Sequence, residues 1–226
     1  IWSWLLKKCV SRLKILNSVK KGELYIISAP SGAGKSSLIH EVLKRSSSAD
    51  SLIELSVSAT TRSPRPNDIE GQDYFFMTKE KFEDLEKKEA FLESANVHGN
   101  KYGTLKGYVN SKLEAGINLI LDIDVQGFEQ IKQKDITNTS VFIIPPSITE
   151  LKSRLLKRNA DTSEVIEARL KNAIAELGGA NNYDHKILNE NFDMAADELY
   201  NLIVNRGVQN KDAKHISEIL EDLLSN

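Results

Sequence analysis

The residues Ala29-Pro30-Ser31-Gly32-Ala33-Gly34-Lys35-Ser36 have the types and spacing of a phosphate cradle. Glycines let the backbone curl until successive N–H groups point at one anion, and a following helix N-terminus adds partial positive charge. Lys35 would reach the outer phosphates of a nucleotide, and the Ser36 hydroxyl would sit on a magnesium ion. The flanks agree. Leu24 to Ile27 is a short apolar run of the kind a buried parallel strand shows, and Leu38, Ile39, Val42 and Leu43 follow at helical spacing. Ala29 stands where the spacing rule asks for glycine, a costly exchange wherever φ must be positive. The plainer alternative is a Gly/Ser turn between any strand and helix. Strand, Gly-rich turn, Gly-Lys-Ser and helix in that order favour phosphate binding.

Two further groups could act on the same ligand. The apolar run Ile117 to Ile123 carries Asp122 at its C-terminal end, with Asp124 just beyond, and such ends face the ligand crevice in open α/β sheets. Carboxylates on a buried strand call for a ligand, a metal or an arginine nearby. Arg62 and Arg65 lie on a stretch broken by Pro64 and Pro66, and Arg154, Lys157, Arg158 and Arg169 on a basic helical one. Arg154 and Arg158, four apart, share a helical face. A guanidinium pairs in its plane with phosphate oxygens and keeps its charge. Solvated surface arginines are the alternative for each.

The elements that must position these groups can be read in outline. Ser46 to Asp50 is a polar break ending the first helix; Ile53, Leu55 and Val57 alternate like a strand. Two prolines then predict an extended loop from Ser58 to Pro66. Tyr74-Phe75-Phe76 predicts a strand, Thr78 with Phe82 and Leu85 a short amphipathic helix, and Phe91-Leu92-Glu93 and the Gly99–Gly103 region further strands and a turn. Residues 57–107 thus form a small inserted subdomain. Val141 to Ile144 is a third buried strand, and Ile148 to Glu176 is helical, broken at Asn159 to Thr162, with Ser163 as N-cap of its second helix. The last segments (Leu199, Leu202, Ile203; Ile216, Ile219, Leu220, Leu223) predict amphipathic helices packing back on the core.

Composition sets the class. With 226 residues, 40% hydrophobic, 27% charged and a net charge of −2, the chain reads as an ordinary globular protein with no global pull toward nucleic acid. The single cysteine, Cys9, excludes an internal disulfide framework and suits a reducing compartment, so the cytoplasm is the expected location. His40, His98, His185 and His215 lack zinc-ligand spacing, and no apolar run approaches a membrane span. Residues 1–21 carry six basic residues and no acidic one, interleaved with Trp2, Trp4, Leu5 and Leu6. A membrane-surface helix and a targeting leader compete here with the expectation of a poorly ordered extension.

Several motifs follow the phosphate loop in order: Ser58-Ala59-Thr60-Thr61-Arg62-Ser63-Pro64-Arg65, Gly71-Gln72-Asp73-Tyr74-Phe75-Phe76, Phe91-Leu92-Glu93, Gly99-Asn100-Lys101-Tyr102-Gly103-Thr104 and Ile120-Leu121-Asp122-Ile123-Asp124-Val125-Gln126-Gly127. Together they resemble guanylate kinase over roughly residues 22 to 207. The resemblance implies an α/β fold: a P-loop NTPase core with a parallel sheet flanked by helices (22–56, 108–148 and 180–207), an inserted GMP-binding subdomain (57–107), a helical lid (149–179), and a C-terminal helix (208–226). It implies Mg-assisted phosphoryl transfer from ATP to GMP or dGMP, magnesium as cofactor, no nucleic-acid or membrane partner, and a monomer or homodimer. In that family Ala is accepted at the position of Ala29.

The resemblance also assigns residues. ATP would meet Ala29, Pro30, Ser31, Gly32, Ala33, Gly34, Lys35, Ser36, Ser37 and, at the adenine, Asn189, for which a capping role at a strand end is the alternative. GMP would meet Ser58, Arg62, Arg65, Tyr74, Glu93, Tyr102, Thr104 and Asp124. Lys35, Arg62, Arg154, Arg158, Arg169 and Asp122 would be catalytic, and Ser36 would hold the metal, with Asp122 contributing directly or through a water. The residue types suit these roles. One carboxylate can accept the adjacent N1–H and N2–H₂ donors of guanine, and a hydroxyl can donate to O6. Adenine lacks the N1 proton and would strand buried groups without partners. Asn159-Ala160 departs from the family's usual Gly-Thr after the second lid arginine, which puts details of the lid in question. The rivals are a guanylate-kinase-like phosphopeptide-binding module without catalysis, and a kinase for another nucleoside monophosphate.

Overall fold

Chain order alternates short apolar strands with amphipathic helices. β1 (Leu24–Ser28) leads into α1 (Lys35–Ser46), followed by β2 (Ile53–Leu55), β3 (Ser58–Thr60), β4 (Tyr74–Phe76), α2 (Lys79–Lys87), β5 (Phe91–Val97) and β6 (Asn100–Leu105). Next come α3 (Lys106–Glu114), β7 (Asn118–Asp122), α4 (Val125–Lys132), β8 (Thr139–Ile144), α5 (Ile148–Arg158), α6 (Ser163–Leu177), β9 (His185–Leu188), α7 (Phe192–Asn205) and α8 (Ala213–Ser225). The computed structural model describes residues 20–47, 52–97, 99–134, 136–158, 163–205 and 213–225, with the side chains of 157, 158 and 163 excepted. The expectations for residues 1–19, for the Asn159–Thr162 break and for the Ser163 side chain as N-cap lie outside the described residues.

The main sheet has the order β2-β7-β1-β8-β9, with every pairing parallel. Helices cover both of its faces, which is why β1 is buried at all five positions instead of alternating with polar residues. Leu24, Ile26, Leu119, Leu121 and Phe142 point to one face, packing with Val109 and Leu113 of α3, Phe128 and Ile131 of α4, and Leu220 of α8. Tyr25, Ile27, Ile120, Val141 and Ile143 point to the other, against Leu38 and Val42 of α1 and Leu199 and Ile203 of α7. This is the expected α/β architecture, a parallel sheet flanked by helices. Among the described residues no helix is long and apolar enough to cross a membrane.

A second sheet, β4-β3-β6-β5, pairs β3 with β4 in parallel and β6 with β3 and β5 antiparallel. It corrects one expectation: Ser58 to Thr60 is not the start of the loop but a strand. The prolines at 64 and 66 end nothing within it, because they lie four and more residues beyond its last position. Register pairs Ser58 with Tyr74, and Thr60 with both Phe76 and Tyr102, so these side chains share one face. The opposite face holds Ala59, Phe75, Phe91 and Leu105 around Phe82 of α2, whose ring stacks on Phe91 at 4.4 Å. Thr78 caps α2, its side chain accepting from Lys81 N–H. Leu151 and Leu155 of α5 pack with Ala173 of α6 in a small cluster, and Leu177 at the end of α6 joins the main core.

Candidate active site

The phosphate-loop residues run from the end of β1 into the first turn of α1. Gly32 and Gly34 take φ of 94° and 95°, while Glu89 is the one non-glycine residue with positive φ among those described. Ala29 therefore does not need the conformation that made its missing glycine costly. A side chain at Gly32 would press on Leu155 and Leu151 of α5, at 3.1 and 3.2 Å, so the glycine also allows α5 to lie against the loop. Lys35 Nζ sits 2.6 Å from Asp122 Oδ1 at the end of β7 and donates to the Ile123 carbonyl at 3.0 Å. Ser36 and Ser37 are exposed on the first turn of α1.

Two arginines reach this loop from α5 and α6. Arg154 is held by Glu150 at 2.8 Å and donates to the Ala33 carbonyl at 3.4 Å and the Asn189 carbonyl at 3.3 Å. Arg169 donates to Ser31 Oγ at 3.1 Å. The side chain of Arg158, like Asn159 and Ala160, lies outside the described residues. Asn189, at the end of β9, is buried, and its amide nitrogen donates to the Ala33 carbonyl at 2.7 Å.

The remaining candidates gather on one face of the second sheet. Tyr74 and Tyr102 meet edge to face at 5.8 Å, and the Arg62 guanidinium lies 5.2 Å from the Tyr74 ring centre. Arg62 also bonds Asp68 at 2.7 Å, which raises its pKa above the ordinary guanidinium value. Arg65 is not drawn into this group: it is exposed, and its backbone N–H donates to the same Asp68 carboxylate at 2.8 Å. Thr104 is fully buried and donates to Glu93 Oε1 at 2.6 Å. Burial pushes the Glu93 carboxyl above the usual range, with the Thr104 bond opposing the shift. Ser58 is half-buried on the same face. Asp124 has a structural task, capping α4 by accepting from Gly127 N–H at 2.8 Å.

Two carboxylates escaped the sequence reading. Asp68 joins both arginines of its loop; the only signal was the Pro66-Asn67-Asp68 turn composition. Glu176, near the end of α6, is half-buried; burial pushes its carboxyl up, while the backbone N–H of Ser31 and the nearby Lys35 pull it down. Nothing local distinguishes it from the other glutamates of a helix.

The arrangement fits a hard divalent cation. Magnesium keeps most of its waters and takes one or two protein oxygens plus substrate phosphates. The exposed Ser36 hydroxyl and the Asp122 carboxylate offer that donor set, and no all-protein cage occurs among the described residues. Chemically, a Gly-rich turn at a helix N-terminus, one ammonium and two guanidinium groups can neutralise a polyphosphate. A second cluster pairs a buried carboxylate with a hydroxyl beside an arginine–tyrosine group.

The family model described as guanylate kinase matches residues 21–206. Guanylate kinases of Escherichia coli K12 and Salmonella typhi are each 44% identical over 208 residues, covering 89% of this chain and 99% of theirs. The crystal structure of guanylate kinase from Anaplasma phagocytophilum superposes with a TM-score of 0.61 at 30% identity, covering 89% of this chain and 95% of that one. The chain belongs to the guanylate kinase family.

Proposed function

We propose that this chain transfers the γ-phosphoryl group of ATP to the phosphate of GMP or dGMP, releasing ADP and GDP or dGDP. A GMP phosphate oxygen bonds to the γ-phosphorus as the bond to the β–γ bridging oxygen breaks. The transferred group carries its charge on peripheral oxygens, so catalysis consists mostly of positioning and neutralisation. In this reading Lys35, Arg154, Arg158 and Arg169 neutralise the polyphosphate held by residues 29–37, while Arg62, Tyr74 and Tyr102 hold the GMP phosphate and Arg65, exposed on the same loop, turns to join them on the ligand. Glu93 accepts the two guanine donors, Ser58 and Thr104 lie beside the base, and Asp124 on the GMP side. Asn189 supports the adenine end through the loop it bonds. Ser36 and Asp122 would hold magnesium, which when bound supplies charge neutralisation on the phosphate oxygens. Closure of 149–179 would exclude water. The reading extends to a monomer or homodimer in the cytoplasm, in keeping with a single cysteine.

The observation that carries the base assignment is the Glu93–Thr104 pair, a buried carboxylate whose bond from Thr104 leaves acceptor capacity free for guanine. The intact Lys35–Asp122 pair on an intact loop speaks against a binding module that has lost catalysis. A coupled assay of ADP formation with GMP, dGMP, AMP and UMP tests both. Turnover is expected with GMP and dGMP. No turnover with GMP at high enzyme concentration would overturn the kinase reading, and a preference for AMP would overturn the base assignment.

A further inference from the structure

Phe91 and Glu93 are two residues apart on one strand, and an unbroken strand would point them to the same face. They point to opposite faces. Phe91 packs on Phe82 in the apolar cluster, and Glu93 bonds Thr104, whose neighbour two positions back, Tyr102, meets Tyr74. The register explains this. Phe91 pairs with Leu105 and Ser94 with Gly103, so Leu92 and Glu93 together oppose the single residue Thr104. This is a β-bulge, and it re-aims the side chain of Glu93. A side chain at residue 103 would stand 2.9 Å from the Glu93 carbonyl, so Gly103 leaves the bulged backbone its room.

A bulge locally disrupts the ladder, and β5 is the edge strand of its sheet, so polar groups of its backbone are met from the side of α4. Lys134, just past α4, donates from Nζ to the carbonyls of Leu92 at 2.6 Å and Phe91 at 3.2 Å. Gln130, on α4, accepts from Ser94 N–H at 3.0 Å and donates to the Ser94 carbonyl at 2.9 Å, as a neighbouring strand would. Bonds on residues 91, 92 and 94 thus bracket Glu93 on both sides. Beside the bulge lies a pocket of about 780 Å³ lined by Leu92, Glu93, Gln130 and Lys134, while Phe91 and Leu92 themselves are packed in the apolar clusters on either side.

We infer that Gln130 and Lys134 are positioning residues for the guanine base: they hold the bulge that turns Glu93 from the apolar face of the second sheet to its nucleotide face. This rests on the reading of Glu93 as the base-recognising carboxylate. The same helix begins at Asp124, two residues beyond Asp122, so the two substrate regions share one support.

The test uses the full chain and the variants Lys134→Met, Lys134→Arg, Gln130→Leu and Glu93→Gln, with kcat and KM measured separately for GMP and ATP. Lys134→Met and Gln130→Leu are expected to raise KM for GMP by about tenfold and to lower the preference for GMP over AMP, with KM for ATP unmoved. Lys134→Arg, which keeps charge and donors, should restore most of the loss. A second readout is electrostatic. Glu93 is faced by Thr104 from β6, by Asp124 at the start of α4 and by Lys134; Lys106 and Glu89 flank Lys134. Removing the Lys134 charge should move the acid limb of kcat/KM for GMP to higher pH, a shift that loosened packing alone would not give. If Glu93→Gln loses the preference for GMP while Lys134→Met and Gln130→Leu leave KM for GMP unchanged, the positioning role is wrong and the base assignment stands. Equal rises in KM for GMP and ATP would also overturn the positioning role. An unaltered preference in Glu93→Gln overturns the base assignment itself.

Discussion

Lys35 Nζ stands 2.6 Å from Asp122 Oδ1, tying the first turn of α1 to the C-terminal end of β7, the strand whose register pairs Asp122 with Ile27 of β1. The ammonium is on a flexible stem, so an arriving phosphate can draw it away without stranding a deeply buried charge. The two side chains keep 18% and 30% of their exposure, so the pair is partly screened by solvent and is worth on the order of 1 kcal/mol. Lys35→Met is therefore expected to lower kcat by about 100-fold or more while leaving the circular dichroism spectrum and thermal midpoint close to those of the parent. ADP release and a thermal melt check it. Near-normal turnover would refute the role given to Lys35.

Glu93 makes stability depend on pH with a definite sign. Burial raises its carboxyl pKa in the folded protein, so between the ordinary carboxyl range and that raised value the native state holds a proton which the unfolded chain has released. Stability then falls as pH rises through this window and is flat in Glu93 above it. Glu93→Gln removes that contribution. Urea midpoints across the window should show a shallower decline in the variant than in the parent, and parallel curves would contradict the raised pKa. The same variant should lose preference for GMP over AMP by about tenfold or more.

Local pattern carried much of this molecule. The phosphate loop, the apolar strands with Asp122 at an end, and the cap at Thr78 each depend on neighbours in sequence. What stayed hidden was non-local. Nothing in Phe91-Leu92-Glu93 announces a bulge, since period-two alternation puts Phe91 and Glu93 on one face, and only Thr104 opposite reveals the extra residue. Ser58 to Thr60 read as loop because its strand partners arrive later, at Tyr74 and Tyr102. The doubt over Ala29 was the reverse case: a position that a motif marks as glycine is here free of the positive φ that would require one.

Arg154 makes its strongest bond to Glu150 and only long ones to the Ala33 and Asn189 carbonyls. Contacts of 3.3 and 3.4 Å are easily exchanged for phosphate oxygens. Arg154→Ala is expected to lower kcat by about 100-fold or more, and Arg154→Lys to recover little, because a point charge cannot reproduce the planar fork. Arg169→Ala should act in the same direction. Steady-state kinetics with GMP saturating decide it, and a loss confined to KM for ATP would make these arginines binding groups only.

Gly34 and Asn189 constrain each other. Gly34 has φ of 95°, and a Cβ built there would stand 2.4 Å from Asn189 Nδ2, whose amide is fixed by its 2.7 Å bond to the Ala33 carbonyl. Gly34→Ala therefore carries two penalties: about 1–2 kcal/mol for a side chain in the left-handed region, and a clash with an amide that cannot move without breaking a buried bond. Asn189→Ala alone should cost about 1–3 kcal/mol, because the Ala33 carbonyl keeps only the long contact from Arg154. In the double variant the clash is gone while the backbone penalty remains, so the combined loss should be smaller than the two single losses added. Denaturant unfolding of all four proteins measures the coupling, and additivity within about 0.5 kcal/mol would mean that Asn189 does not confine the loop.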